Sequence, residues 1–393
     1  MKTDVKITVH RGTRQIGGCC TEIATNSTKI LIDLGSPLPG DDAEELSVDG
    51  ATCGKRDCDG ILITHYHGDH IGELKNILPD VPVFMGKSTK EILLAYKEHM
   101  GENFAGNIPL DNAHTINDSL SFSIGDIKIT PVESDHSSFQ PYMFLLEAGG
   151  KRVLHTGDFR LHGQRHDKLM NRLRNLGNID LLITEGTTLN RTEDSWTEET
   201  VKTVFSTLMN RYKYCFLLTS SGNIDRIGKF AECVKRGRYF LTDDFGRRLV
   251  DIAKSNDSKS NEAFKKPIAY GNNLKERIEK FGFGMVVRSN KRFKNILRYY
   301  MTEHKEDTCL IYSMWTGYLK IPSIKEFVDT AGENFYIAHS SGHVVLEDLN
   351  NMINTLNPKQ ILFIHTETGA DDIDIDSKER IVKLNDKEHI ILH

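Results

Sequence analysis

The stretch ILITHYHGDHI, residues 61–71, decides how this chain is read. An apolar run at 61–64 delivers His65, His67, Asp69 and His70 together, just where the strand-like pattern stops. In extended backbone alternate residues share a face, so His65 and His67 can grip one metal ion. Asp69 and His70 begin the next turn and point elsewhere, which suits a second ion alongside. Imidazole nitrogen and carboxylate oxygen are apt ligands for zinc, with iron and manganese as alternatives. Three histidines and an aspartate within six positions set the segment apart from a polar loop that happens to be rich in histidine.

Outward from this segment, residues 5–9, 20–24, 29–33 and 60–64 read as short strands, by alternation or by apolar runs. A helix is expected over 71–78, a strand over 81–85, and a helix from 88 to 99 capped by Ser88. Residues 120–132 read as two strands about the turn Ile124-Gly125-Asp126. Residues 142–146 and 152–155 read as a hairpin turning on Gly149-Gly150. Further strands fall at 181–184 and 359–364. Strand ends carry more candidate ligands: His136 in ESDHSS (133–138), Asp158 in HTGDF (155–159), and His365 after 361–364. Each is weak alone. Together they make six or seven ligands converging on one rim of a layered sandwich of sheets and helices.

At 393 residues the chain exceeds one ordinary core, so two units, or one domain with a large insertion, are expected. The 38% apolar fraction with moderate charge indicates a soluble globular enzyme rather than a disordered chain. No apolar stretch approaches the roughly 20 residues that span a bilayer, so no membrane partner is expected. The opening Met1-Lys2-Thr3-Asp4 lacks the apolar core of a secretion signal. Seven cysteines, an odd and scattered set at 19, 20, 53, 58, 215, 233 and 309, read as reduced thiols of a cytoplasmic protein. Cys53 and Cys58 have no second pair with which to build a zinc ribbon.

The texture changes between about 195 and 333. Helical periods there alternate with short apolar runs at 214–219, 238–241, 285–287 and 309–313, the pattern of a small parallel α/β domain. Residues 196–335 hold 25 Lys and Arg against 17 Asp and Glu, a surplus of 8; with the whole chain at −5, the rest carries −13. A basic unit joined to an acidic, ligand-rich one suggests a polyanionic substrate. The run RSNKRFKNILRYY (288–300) interleaves Arg288, Lys291, Arg292, Lys294 and Arg298 with Phe293, Tyr299 and Tyr300, suited to phosphates and stacked bases.

The order His65-x-His67-x-Asp69-His70, then His136, then Gly157-Asp158, resembles the metallo-β-lactamase superfamily, and Asp33 matches its early aspartate. Later residues narrow the resemblance to the beta-CASP nucleases, nearest to ribonuclease J. Glu185 in ITEGT matches an acidic position of that subgroup, and His343 in HSSGH and His365 match its two C-terminal histidines. The resemblance covers nearly the whole chain. It implies an α/β fold: a metallo-β-lactamase αββα sandwich (1–195 and 336–393) with an inserted small parallel α/β beta-CASP domain (196–335). It implies two Zn2+, with Mn2+ or Fe2+ as alternatives, one held by His65, His67, His136 and Asp158. The second would be held by Asp69, His70, Asp158 and His365, with Asp158 bridging. It further implies that Asp69 orients a water, that His343 is a general acid, and that Glu185 holds the tautomer of His343.

Departures accompany the matches. The loop TSSGNIDR (219–226) resembles one that grips substrate phosphate, but Asp225 stands where the family often has histidine. Ser220, Ser221 and Arg226 remain candidate phosphate contacts, as do Ser340, Ser341 and the amide of Gly342. The chain runs 28 residues past His365, so the C-terminal assembly domain of longer ribonuclease J proteins is expected to be absent. The oligomeric state, a homodimer among the options, stays open. His10, His99, His114, His155, His162, His166, His304, His389 and His393 read as surface or structural residues. The leading functional reading is a zinc phosphodiesterase acting on single-stranded RNA, as 5′-to-3′ exonuclease, endonuclease or both. The alternatives are a small-molecule ester or phosphodiester hydrolase, a nuclease acting on DNA, and a nucleic-acid-binding protein without catalysis.

Overall fold

A computed structural model describes residues 4–38, 45–101, 108–189, 196–256, 266–368, 373 and 375–393. The expected boundary at 195 and the first three residues of the chain lie outside these. The chain divides into two compact units, Met1–Asp194 with Gly342–His393, and Ser195–Ser341.

The strands of the first unit run β1 (Val5–Arg11), β2 (Cys20–Ala24), β3 (Lys29–Ile32), β4 (Gly60–Ile63), β5 (Val83–Gly86) and β6 (His114–Ile116), then β7 (Phe122–Ile124), β8 (Ile127–Glu133), β9 (Tyr142–Ala148), β10 (Lys151–His155) and β11 (Leu181–Glu185). The second unit contributes β12 (Tyr214–Leu218), β13 (Tyr239–Thr242), β14 (Ile268–Ala269), β15 (Phe283–Val287), β16 (Thr308–Tyr312) and β17 (Phe335–Ile337). The chain then returns to the first unit with β18 (Gln360–Ile364), β19 (Ile381–Val382) and β20 (His389–Leu392).

The first unit holds two seven-stranded sheets, in the orders β20-β1-β2-β3-β4-β5-β6 and β19-β18-β11-β10-β9-β8-β7. They pack face to face because each strand presents apolar side chains inward. Ile7, Val9, Ile23, Ile30 and Leu62 of one sheet meet Ile129, Phe144, Leu146, Ile183 and Leu362 of the other, all fully buried or nearly so. The outward face of the second sheet is equally apolar and is covered by the helices His166–Arg174 and Leu346–Leu356, through Leu169, Met170, Leu173, Leu349, Met352 and Ile353. The helix Lys87–Met100, with Ile92 and Leu93 buried, packs beside β5 and β6 of the first sheet. The result is a sandwich of two sheets between helices.

Strand direction positions the site. β10, β11 and β18 are parallel neighbours, and β8 pairs antiparallel with β9, which pairs antiparallel with β10. All four therefore end on one edge. In the other sheet β3 and β4 are parallel and also end together.

Two local expectations were wrong. Residues 71–78 do not form one helix: a short helix, Gly68–Ile71, is followed by a separate 3-10 turn, Leu74–Asn76. The carbonyls that would propagate the helix are engaged elsewhere, Asp69 O by Cys19 N at 3.2 Å and His70 O by Leu34 N at 2.8 Å. Ser88 is not a cap either. The helix begins at Lys87 after Gly86, and the buried Ser88 hydroxyl donates to Gln140.

The second unit is a six-stranded sheet, order β14-β13-β15-β12-β16-β17, with every pairing parallel. Its inner strands β12, β15 and β16 are buried along their whole length, as parallel sheets flanked by helices require. The stretch 288–300 offers only part of the phosphate-and-base surface that its sequence suggests. Phe293 and Tyr300 lie in the core, while Arg288 pairs with Asp243 and Lys294 with Glu326. The helical period of Lys291–Glu303 explains this, because residues 293, 297 and 300 share its inner face. Lys291, Arg292, Arg298 and Tyr299 stay exposed. The seven cysteines are free thiols. No described helix is long and apolar enough to cross a membrane.

Candidate metal centre

Each strand end on this edge delivers one polar side chain. His65 follows β4, and His67 sits in extended backbone just before the helix that carries Asp69 and His70. His136 follows β8, Asp158 follows β10, Glu185 is the last residue of β11, and His365 follows β18 directly. Asp33 and His365 both hold left-handed backbone, with φ of 59° and 52°. Such conformations are costly for residues other than glycine and concentrate at functional sites. Gly157, at φ 55°, leads into Asp158; a Cβ there would come within 2.8 Å of the Thr64 side chain.

All seven expected ligands come together. The nitrogens of His65, His67 and His136 form one group, and the ligand atoms of Asp69, His70, Asp158 and His365 form another, each spanning no more than 4.8 Å. Asp158 Oδ2 is the centre. It lies 3.2 Å from His70 Nε2, 3.7 Å from His365 Nε2, 3.8 Å from His136 Nε2 and 4.0 Å from His65 Nε2. His365 Nε2 is 3.2 Å from Asp69 Oδ2.

The hydrogen-bond network assigns the ring tautomers. The Thr64 hydroxyl donates to Asp33 Oδ2 at 2.8 Å, so it accepts from His65 Nδ1 at 3.0 Å. His136 donates through Nδ1 to the Gly342 carbonyl at 2.5 Å, and His70 through Nδ1 to Asp33 at 2.7 Å. Thr187 donates to the His365 carbonyl at 3.2 Å and so accepts from His365 Nδ1 at 2.7 Å. Each of these four rings directs Nδ1 outward and leaves Nε2 facing the centre, as metal-holding histidines do, whereas His67 turns Nδ1 inward.

The electrostatics fit a cation. Burial, reinforced by crowding among the rings, holds His65 well below the usual histidine range; burial also lowers His136 and takes His67 to about 4. These three are neutral at pH 7, yet His67 Nδ1 lies 3.0 Å from His65 Nε2 and 3.2 Å from His136 Nε2. One ring proton satisfies only one of those contacts, so lone pairs converge on a point that a positive ion would relieve. Burial opposes charge on His70, but Asp158, Asp33 and Asp69 raise its pKa; that corner also calls for positive charge. Burial likewise opposes ionisation of Asp158, and His365, His70 and His343 overcome it, keeping the carboxylate ionised. The residues fit two cations.

His343 and Glu185 lie beside this cluster. His343 Nδ1 is 2.8 Å from Glu185 Oε2 and 3.7 Å from Asp158 Oδ2. Glu185 Oε1 accepts from the Phe159 amide at 2.7 Å, which fixes the carboxylate. Burial works against a charged His343, but Glu185 and Asp158 lift its pKa to about 9.

The candidate phosphate contacts divide. Ser220 is exposed and Ser221 nearly buried, in the loop after β12. Ser340 is buried and Ser341 half-buried. Arg226 is not available to a ligand. Its guanidinium is wholly buried, bonded to both Glu198 oxygens at 2.7 and 2.9 Å, to Ser313 Oγ at 2.6 Å and to the Ser340 carbonyl at 3.0 Å. Sequence gives no sign of this, because Glu198 and Ser313 are 28 and 87 residues away. Arg226→Met is expected to lower stability by roughly 3–5 kcal/mol in chemical denaturation, since it strands the Glu198 charge in the interior. Gly342 offers its carbonyl to His136, and a Cβ there would come within 3.0 Å of that ring. Sequence reading also missed Thr187 and the Phe159 amide, both of which act through distant partners.

Known proteins resemble this arrangement. Residues 28–209 match the model of the beta-lactamase superfamily domain. The chain is 29% identical over 189 residues to the probable RNase MJ4 of Methanocaldococcus jannaschii, a match covering 44% of this chain and 43% of that protein. It is 26% identical over 244 residues to ribonuclease J of Helicobacter pylori, covering 58% and 34%. The chain thus spans less than half the length of these curated relatives. A crystal structure of a protein of unknown function from Enterococcus faecalis V583 superposes with a TM-score of 0.80 at 19% identity, over 99% of this chain and 100% of that one. That likeness extends to the fold alone. Residues 28–209 thus carry a beta-lactamase superfamily domain, in a fold whose two seven-stranded sheets place the candidate ligands at their strand ends, and the chain is similar to ribonucleases of the J type.

Proposed function

We propose that this protein is a metal-dependent phosphodiesterase that cleaves single-stranded RNA, with two Zn2+ as its ions and Mn2+ or Fe2+ as alternatives. One observation carries the reading: Asp158 Oδ2 lies within 4.0 Å of nitrogens from His65, His70, His136 and His365, with the His343–Glu185 pair alongside. His65, His67, His136 and Asp158 would hold one ion; Asp69, His70, Asp158 and His365 would hold the other. Such ions supply charge stabilisation for a phosphodiester and bring the ionisation of water to a pKa of about 7. Asp69 orients the attacking water. His343, steadied through Nδ1 by Glu185, offers its other nitrogen as proton donor to the leaving oxygen. The relatives named as ribonucleases favour RNA over DNA or a small ester.

In this reading residues 196–335 are the beta-CASP insert, and their surplus of 8 positive charges supplies affinity for a polyanion. The 5′-to-3′ exonuclease mode is the one adopted. Purified protein supplied with Zn2+ or Mn2+ is expected to degrade 5′-phosphorylated single-stranded RNA to mononucleotides and to leave circular RNA intact. Its KM is expected to rise at least about ten-fold between 50 and 200 mM salt, as counterion release dictates. Cutting of the circle would make it an endonuclease. A protein inert toward RNA, or a KM indifferent to salt, would overturn the reading.

A further inference from the structure

Two of the loops that deliver ligands are tied together by a buried ion pair. Asp135 precedes His136, and Arg160 lies two residues after Asp158. Both side chains are fully buried, and Arg160 Nε donates to Asp135 Oδ1 at 2.8 Å. Asp135 Oδ2 accepts from the Arg165 amide at 2.6 Å, and the Asp135 carbonyl accepts from the Arg160 amide at 2.7 Å. One residue thus receives three bonds from the loop that carries Asp158. Gly163 closes over the pair; a Cβ there would stand 2.5 Å from both Asp135 carboxylate oxygens and 2.6 Å from Arg160 Nε.

Removing two charges from water costs several kcal/mol per ion, and apolar residues of like volume often replace such a pair without loss of stability. Stability alone is therefore a poor account of it. With the main-chain bond beside it, the pair fixes the separation of the 134–136 and 156–165 loops, and so the distance from His136 Nε2 to Asp158 Oδ2, 3.8 Å.

We propose that Asp135 and Arg160 are positioning residues that set the His136–Asp158 spacing, and with it the affinity of the metal group built on His65, His67 and His136. The proposal rests on the metal-centre reading above. The test is Zn2+ binding to the full chain, measured in competition with a chromophoric chelator. Wild type and the double variant Asp135→Leu/Arg160→Met are compared, with thermal melting recorded alongside. The double variant is expected to melt close to wild type and to hold one of its two Zn2+ about 10- to 100-fold more weakly, the usual cost of losing a partner that orients a metal ligand. A folded double variant with both Zn2+ affinities within two-fold of wild type overturns the proposal. If the double variant does not fold, Arg160→Lys, which keeps the buried charge but not the fixed Nε geometry, is judged by the same criterion. Absence of Zn2+ binding by wild type would instead count against the metal-centre reading itself.

Discussion

Asp158→Asn is expected to abolish hydrolysis of RNA and to lower bound metal from two ions per chain to one or none. The carboxylate stands within 4.0 Å of four imidazole nitrogens that belong to both ligand groups. Asparagine keeps the shape but removes the negative charge with which Asp158 would hold the ions. Without a bound cation the attacking water would ionise far less readily, so the supply of hydroxide at neutral pH would fall by many orders of magnitude. Elemental analysis of the purified variant and an RNA degradation time course read the two effects separately. A variant that retains two ions and degrades RNA within ten-fold of the wild-type rate would remove Asp158 from the centre of the mechanism.

His343→Ala is expected to behave differently: kcat falls by roughly 10²- to 10⁴-fold, the usual range for loss of a general acid, while both ions remain bound. The distinction follows from geometry. His343 directs Nδ1 to Glu185 at 2.8 Å, while in the proposed ligand sets each ion would have four other residues to hold it. Glu185→Gln is expected to lie on the same side of that divide, with kcat lowered and metal content unchanged. Loss of metal from His343→Ala, as great as from Asp158→Asn, would make His343 a ligand rather than a proton donor.

The fold and the ligand set were unequally legible. Strand positions such as 20–24 and 142–146 agree with β2 and β9 because alternation and apolar runs are local consequences of backbone geometry. The errors share one cause, which is competition from distant partners. The carbonyls of Asp69 and His70 turn to Cys19 and Leu34, so the periodicity over 71–78 never becomes a helix. Phe293 and Tyr300, read as stacking platforms, fall on the inner face of a helix whose apolar side needed a core.

By itself the amino-acid order determined which side chains are candidates to hold metal, because ligand chemistry and strand-end placement are written in short segments around residues 65–70, 136, 158 and 365. Only the tertiary structure decided what each ligand leans on: Thr187 beneath His365 across 178 residues, Gly342 beneath His136 across 206, and Glu198 removing Arg226 from any substrate. A hydrogen bond reaches about 3 Å and is indifferent to sequence distance, so its partner is fixed only when sheets and loops are packed.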